Sequence, residues 1–305
     1  MPRHVFKDVP DGDNITYDVV DEENGYRQCT FAYPFEVHQE LFNKIPIIKC
    51  KDGDNFLESY PKTGTHWLWE MIYLVKKGTC DITEVQKGQN MIDASPIEYT
   101  ENLPQPRVLN SHLKVKYLPK DVIEKKLKIV LLVRNPKDVA VSFYNHTRGL
   151  SFYDYDGKFE NFLQMFMRGE VDYGSYPEYL REWQTFMKEN ADVPIHLVYY
   201  ENLHQDCQGE MKKVCKFLGN DVSDEDLQQI VSNCQIDKLR KGKMDKLPEE
   251  IKVRMGQMTK HDFSVFRKGK IGDWRNWFTV AQNEAFDKWW EQETRDITMF
   301  SFKYR

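Results

Sequence analysis

Two stretches of the chain are apolar almost without interruption over the length of a strand, and both give way at once to polar residues. Lys128 to Val133, KIVLLV, is a run of β-branched and leucine side chains of the kind a strand buried on both faces requires. Pro194 to Tyr200, PIHLVYY, is closed in the same way by Glu201 and Asn202. Two shorter runs join them. Leu57 to Tyr60 ends at Pro61, and Arg107 to Leu113, RVLNSHL, lies between Pro104 and Pro106 on one side and Pro119 on the other. Between these strands apolar residues recur at helical spacing. Trp67, Met71, Leu74 and Val75 make one stripe, stopped by Gly78 after Lys76 and Lys77. Further helices are predicted over Phe159 to Met167, Tyr176 to Glu189, Cys207 to Leu218 and Asp224 to Asn233, the last with Ser223 as N-cap, and from a Thr279 cap to about Glu291. The alternation predicts an α/β protein in which a central parallel sheet is flanked by helices.

Two regions lack a strong period. Asp81 to Thr100 reads as helix plus irregular coil, and the lysine-rich stretch from Lys238 to Lys270 as a solvated face or mobile loop. Residues 1–36 read as a partly extended arm, leaving 37–305 as a single domain. In that arm Phe31, Tyr33 and Phe35 serve as a hydrophobic anchor or as the cap of a pocket.

Composition narrows the partners. With 43 Lys+Arg against 48 Asp+Glu the net charge is −5, so no global pull toward nucleic acid or an anionic membrane is expected, and any basic cluster is local. The six cysteines show no CxxC spacing and are read as free thiols of a reducing compartment. The polar N-terminus has no apolar leader-like region, and no segment reaches the roughly 18 apolar residues of a membrane span, which points to the cytosol.

The candidate chemistry lies in the turns. After Leu57 to Tyr60 come Lys62, Thr63, Gly64 and Thr65, leading into a helix whose free N–H groups and dipole favour a phosphate. It is not a Walker loop, because Lys62 precedes Gly64 rather than following the last glycine. Lys128 to Val133 runs into a second turn carrying Arg134, with Ser142 on the helix beyond it, and strand ends of a parallel sheet can converge on one ligand. Arg267, Lys268 and Gly269 join two cations to a glycine, a third candidate anion clamp. His112 stands at the end of its strand, where a lone histidine is more often structural than catalytic.

Three stretches, YPKTGTHW, RNPKDVAVSFY and FRKGKIGDWRNWFTVAQNEAFD, resemble the cytosolic sulfotransferases in the right order, over about residues 40 to 295. The resemblance implies a P-loop-like strand–loop–helix for the phosphosulfate and a transferase using 3′-phosphoadenosine 5′-phosphosulfate (PAPS), with no metal. By motif position Lys62, Thr63, Gly64, Thr65, His66 and Trp67 would hold the phosphosulfate end, with Trp67 also near the adenine. Arg134, Ser142, Arg267, Lys268 and Gly269 would hold the 3′-phosphate, and Tyr200 would lie against the adenine. His112 fits the family's catalytic histidine, a general base for the acceptor, and Lys62 would stabilise the leaving group.

The chain also departs from the family pattern. Thr63 and His66 replace the usual Ser and Thr, and His66 is either a second titrating group or a donor in place of a hydroxyl, the latter being favoured. The usual lysine two residues before the histidine is Asn110, so one cation near the reacting group is missing, and Cys234, Gln235 and Ile236 put no ring beside the adenine. The segment Arg275 to Glu284 resembles the family's dimer motif, implying a homodimer. Phe31, Phe143, Tyr144 and Phe266 are candidate walls for a phenolic, steroidal or other apolar small-molecule acceptor of a hydroxyl or amine type. The rival readings are a non-catalytic relative binding PAPS or its product, a nucleotide kinase, which would need a Walker lysine, and a Golgi carbohydrate sulfotransferase, which would need an N-terminal anchor.

Overall fold

The computed structural model describes residues 4–8, 13–261 and 263–304. An antiparallel meander opens the chain: β1 (His4–Asp8), β2 (Asp13–Asp21) and β3 (Tyr26–Gln28), in the order β1-β2-β3. The strands expected from the apolar runs follow as β4 (Asn55–Ser59), β5 (Val108–Ser111), β6 (Lys128–Val133) and β7 (Ile195–Tyr199). They form a four-stranded sheet, ordered β5-β4-β6-β7, in which every pairing is parallel.

The pleat of β6 explains why its sequence lacks alternation. Ile129, Leu131 and Val133 project into one core, Val130 and Leu132 into another on the opposite face, and all five are buried. The helix Thr65–Lys77 covers the second face with Leu68, Met71, Ile72 and Leu74, while Pro136–Gly149 and Tyr176–Glu189 cover the first with Val139, Phe143, Tyr179 and Trp183. The meander packs into that first core as well, burying Ile15, Tyr17, Val20 and Tyr26. Helices at Phe159–Met167, Cys207–Leu218 and Asp224–Asn233 stand where the spacing predicts them.

The lysine-rich stretch differs from expectation. It holds two helices, Ile236–Lys246 and Glu249–Met258. The first buries only Leu239 and Lys243 and the second buries nothing, so neither needs the apolar stripe by which helices are read, although Lys, Arg, Glu and Met are good helix formers.

At the ends of β4 and β5 remote from their carboxyl termini, a buried ion pair sets the start of both strands. Arg107 Nε donates to Asp54 Oδ1 at 2.8 Å and Nη2 pairs with Oδ2, while Nη1 donates to the Thr100 carbonyl at 2.8 Å. Both side chains are fully buried. Asp54 also accepts from the backbone N–H of Lys51 at 2.7 Å. Arg107→Met should strand the Asp54 carboxylate and lower the unfolding free energy by about 3–5 kcal/mol. Urea denaturation measures it, and a loss below 1 kcal/mol would refute the assignment.

Candidate active site

The carboxyl ends of β4, β5 and β6 open on one cavity of about 270 Å³. Its walls include Lys62, Gly64, Thr65, His66 and Trp67 from the loop and helix after β4, His112 after β5, and Arg134 and Ser142 after β6. Tyr200, Phe31, Phe266, Arg267, Lys268 and Gly269 complete the set of sequence candidates that meet there.

The loop is shaped by backbone geometry few residues tolerate. Lys62 takes φ 69° and Gly64 φ 109°, both in the left-handed half of the map. A Cβ on Gly64 would stand 2.5 Å from Tyr200 Cδ2, so glycine lets the loop and the tyrosine ring meet. Trp67 is fixed from the other side, its indole N–H donating to the Cys234 carbonyl at 2.9 Å.

Cations dominate the lining. The Arg134 guanidinium lies 4.2 Å from the centre of the Tyr200 ring and donates to the carbonyls of Lys62 at 3.1 Å and Lys270 at 3.3 Å. Arg267 and Lys268 share Asp273, at 2.7 and 2.8 Å. Asp138, on the helix after β6, accepts from the backbone N–H groups of Gly272 at 2.7 Å and Trp274 at 3.0 Å, which docks this segment against the sheet. Buried Nε atoms of Arg134 and Arg267 have no hydrogen-bond partner among the described residues. Surplus positive charge with donors to spare fits a ligand carrying several phosphate or sulfate oxygens.

The corner of the cavity beyond β5 is built around His112. Its Nδ1 is 2.8 Å from the Ser59 carbonyl, which can only accept, so Nδ1 carries the proton and Nε2 the lone pair. The His112 backbone N–H donates to Asp93, which also receives the Tyr173 hydroxyl at 2.8 Å. Burial first, then the nearby Lys87 charge, push His112 well below the usual histidine range. Lys62 Nζ lies 3.2 Å from His146 Nδ1. Burial, followed by the like charges of Lys87, Arg134 and Arg267, brings Lys62 down to about 7. His66 is likewise held well below the usual range by burial, with the Lys87 and Lys62 charges adding to the effect.

Three sequence candidates lie elsewhere. Thr63 is buried with its hydroxyl donating to the Tyr60 carbonyl at 2.8 Å, so it closes the loop instead of lining the cavity. Phe143 and Tyr144 belong to the core: Phe143 packs edge-on to Tyr60 and Phe162, and the Tyr144 hydroxyl donates to the Gly157 carbonyl. The helix turns them away from Ser142 and His146, which are one turn apart on the cavity side.

Other wall residues were not anticipated. His146 lies on the helix after β6, Asp172 and Tyr173 lie between the helices Phe159–Met167 and Tyr176–Glu189, and Asp172 is the one acid in the lining among the described residues. Lys87 was hidden in the aperiodic segment after Gly78. It is buried, and its ammonium lies 3.2 Å from His112 Nε2. The one signal in the sequence was indirect, the neutral Asn110 where a cation was expected. The chain supplies a cation at the histidine from a different element.

Comparison with known proteins agrees with this architecture. The family model described as "Sulfotransferase domain" matches residues 52–298. Sulfotransferase 1A1 of Rattus norvegicus is 32% identical over 266 residues, covering 83% of this chain and 87% of the relative. Among solved structures, mouse sulfotransferase SULT7A1 complexed with PAP (3′-phosphoadenosine 5′-phosphate) superposes with TM-score 0.71 at 28% identity, covering 89% of this chain and 94% of the other. Retinol dehydratase in complex with androsterone and PAP shares the fold, with TM-score 0.73 at 20% identity and coverage of 98% and 92%. With a phosphosulfate-type loop, a basic cavity and a histidine at the strand ends, and a family match over most of its length, the chain belongs to the sulfotransferase family.

Proposed function

We propose that this protein transfers a sulfuryl group from PAPS to a hydroxyl of a small apolar acceptor, with His112 as general base and Lys62 as the cation at the leaving oxygen. The supporting observation is the His112 ring, whose Nδ1 proton is held by the Ser59 carbonyl, leaving the Nε2 lone pair in the cavity that Lys62 lines. PAPS, when bound, supplies the sulfuryl group and departs as PAP. Arg134, Ser142, Arg267, Lys268 and the Gly269 N–H bind the 3′-phosphate side, Gly64, Thr65 and His66 the phosphosulfate, and Trp67 and Tyr200 the adenine. A neutral His112 takes the acceptor proton as the oxygen attacks sulfur. Lys62 meets charge that grows on the leaving oxygen, a gain made only as the bond breaks.

The acceptor wall is apolar: Phe31, Met91, Phe152, Tyr173 and Phe266 all line the cavity. It suits a phenol, steroid or similar hydroxylated molecule. In this reading the arm, residues 1–36, works as part of the pocket, since Cys29 and Phe31 both reach it. A cytoplasmic location is supported by six unpaired cysteine thiols and, among the described residues, by no helix long and apolar enough to cross a membrane. A homodimer through Arg275 to Glu284 is supported by Val280, 75% exposed just after the Thr279 cap.

His112→Ala should bind PAP as the parent does and lose transfer to 2-naphthol by about 10²- to 10⁴-fold. Arg134→Ala should weaken PAP binding. Calorimetry with PAP and, separately, ATP with Mg²⁺ reads the nucleotide class, and a preference for ATP would sink the proposal.

A second test concerns pH. Lys62 is brought down to about 7 in the free protein, and a bound phosphate restores its charge, so binding takes up a proton above that value. PAP affinity should be full below pH about 7 and fall as pH rises through and beyond it. Titrations in buffers of different ionisation enthalpy measure the uptake, and an affinity independent of pH in that window would contradict it.

For the dimer, light scattering should find two chains for the parent and one for Val280→Glu; a parent that is already a single chain would exclude the contact.

A further inference from the structure

Lys87 opens a short turn, Lys87–Asn90, in the connection between the helix Thr65–Lys77 and β5. Its side chain is buried, with the ammonium 3.2 Å from His112 Nε2 and 3.5 Å from Met91 Sδ. An ammonium can only donate, so it points a hydrogen at the lone pair that the Ser59 carbonyl leaves on Nε2. The contact is secured by Asn110. Its side-chain amide donates to the Lys87 carbonyl at 3.1 Å, and its own carbonyl accepts from the Ile92 N–H at 3.1 Å. Asn110 stands on β5 and His112 directly follows the last residue of that strand, so one residue ties the lysine's turn to the segment that carries the histidine.

We propose that Lys87 is a positioning residue of the transfer, fixing the His112 ring and keeping Nε2 unprotonated, and that Asn110 acts by anchoring the Lys87 turn. The inference rests on His112 being the base, as proposed above. Bound nucleotide brings several negative charges into the cavity and draws protons toward every base there. The adjacent ammonium offsets that pull. In the reaction the acceptor oxygen forms the O–S bond, the bridging S–O pair leaves with the 5′-phosphate, and the acceptor proton goes to Nε2, as the Lys87 ammonium turns off that lone pair, and on to solvent. An imidazolium beside an ammonium is repelled, which favours that last departure.

Other charged or titrating groups face His112 as well. Lys62 comes from the loop after β4, His66 from the helix that follows and His146 from the helix after β6; Asp93 holds the His112 N–H, Tyr173 packs edge-on to the ring, and Glu58 lies behind Lys87. Among them only Lys87 is in contact with Nε2 in the described residues. The Lys87 charge is accordingly the second cause, after burial, of the lowered proton affinity of His112.

The test is nitrogen-detected histidine NMR on the full chain, without nucleotide and with saturating PAP, using His112→Gln to assign the signal. Lys87→Met should raise the His112 titration midpoint by about one pH unit or more, and Lys87→Arg should leave it near the parent value. In transfer assays the acid limb of kcat/KM should move with it. An unchanged midpoint in a folded Lys87→Met protein, or an arginine variant that shifts as far as the methionine one, overturns the proposal. Should Lys87→Met not fold, Asn110→Ala is expected to move the midpoint the same way by a smaller amount, and no movement overturns it. The nucleotide-free titration reads the Lys87–His112 coupling alone, whereas loss of transfer in His112→Ala reads the general base, so the two failures are distinguishable.

Discussion

Several positive charges must be held around one cavity against their mutual repulsion, and much of the surrounding structure is arranged to do so. Burial and the like charges of Lys87, Arg134 and Arg267 bring Lys62 to about 7, and burial, opposed by Asp93 and Glu58, brings Lys87 to about 8, so the cations are held in the cavity at an electrostatic cost. The restraints are neutral or acidic groups placed behind the cations. Carbonyls of Lys62 and Lys270 and the face of Tyr200 hold Arg134; Asp273 holds Arg267 and Lys268; Asp138 clamps the backbone that carries them. A polyanion relieves the same repulsion, so the strain of the free state becomes selectivity for highly charged ligands.

The sheet supplies the geometry for this at low cost. Parallel pairing aligns Ser59 with Leu132 and Glu58 with Ser111, which brings the residues after three strands to a common edge. The turns then deliver Lys62, His112 and Arg134 without long excursions. Interactions at the opposite edge, above all Arg107 with Asp54, act on the same register from a distance. The site depends on strand alignment that is set in part outside it.

Strands and most helices were legible because burial on one or two faces leaves a periodic trace, as in KIVLLV and in the stripe from Trp67 to Val75. The turn residues that meet at the cavity were legible where they follow a strand or include a glycine, at Lys62, Gly64, Arg134 and Gly269. What failed to show depends on tertiary placement. Phe143 and Tyr144 adjoin Ser142 in sequence, yet a helix rotates successive residues by about 100°, and they face the core. Lys87 lies in a turn with no period, and its place beside His112 is fixed by Asn110, which is distant in sequence on β5. The helix Glu249–Met258, with no buried face, left no apolar stripe.

Lys62 holds a further consequence in its backbone. A residue with a side chain in the left-handed region costs roughly 1–2 kcal/mol relative to glycine, and Lys62 stands there with φ 69° beside a glycine already used for the same turn. Backbone ease and cavity charge therefore pull in opposite directions at this position: a glycine would relax the loop and remove one of the cations that line the cavity. A screen for robustness alone would therefore favour glycine at position 62, at the expense of a cation in the cavity wall.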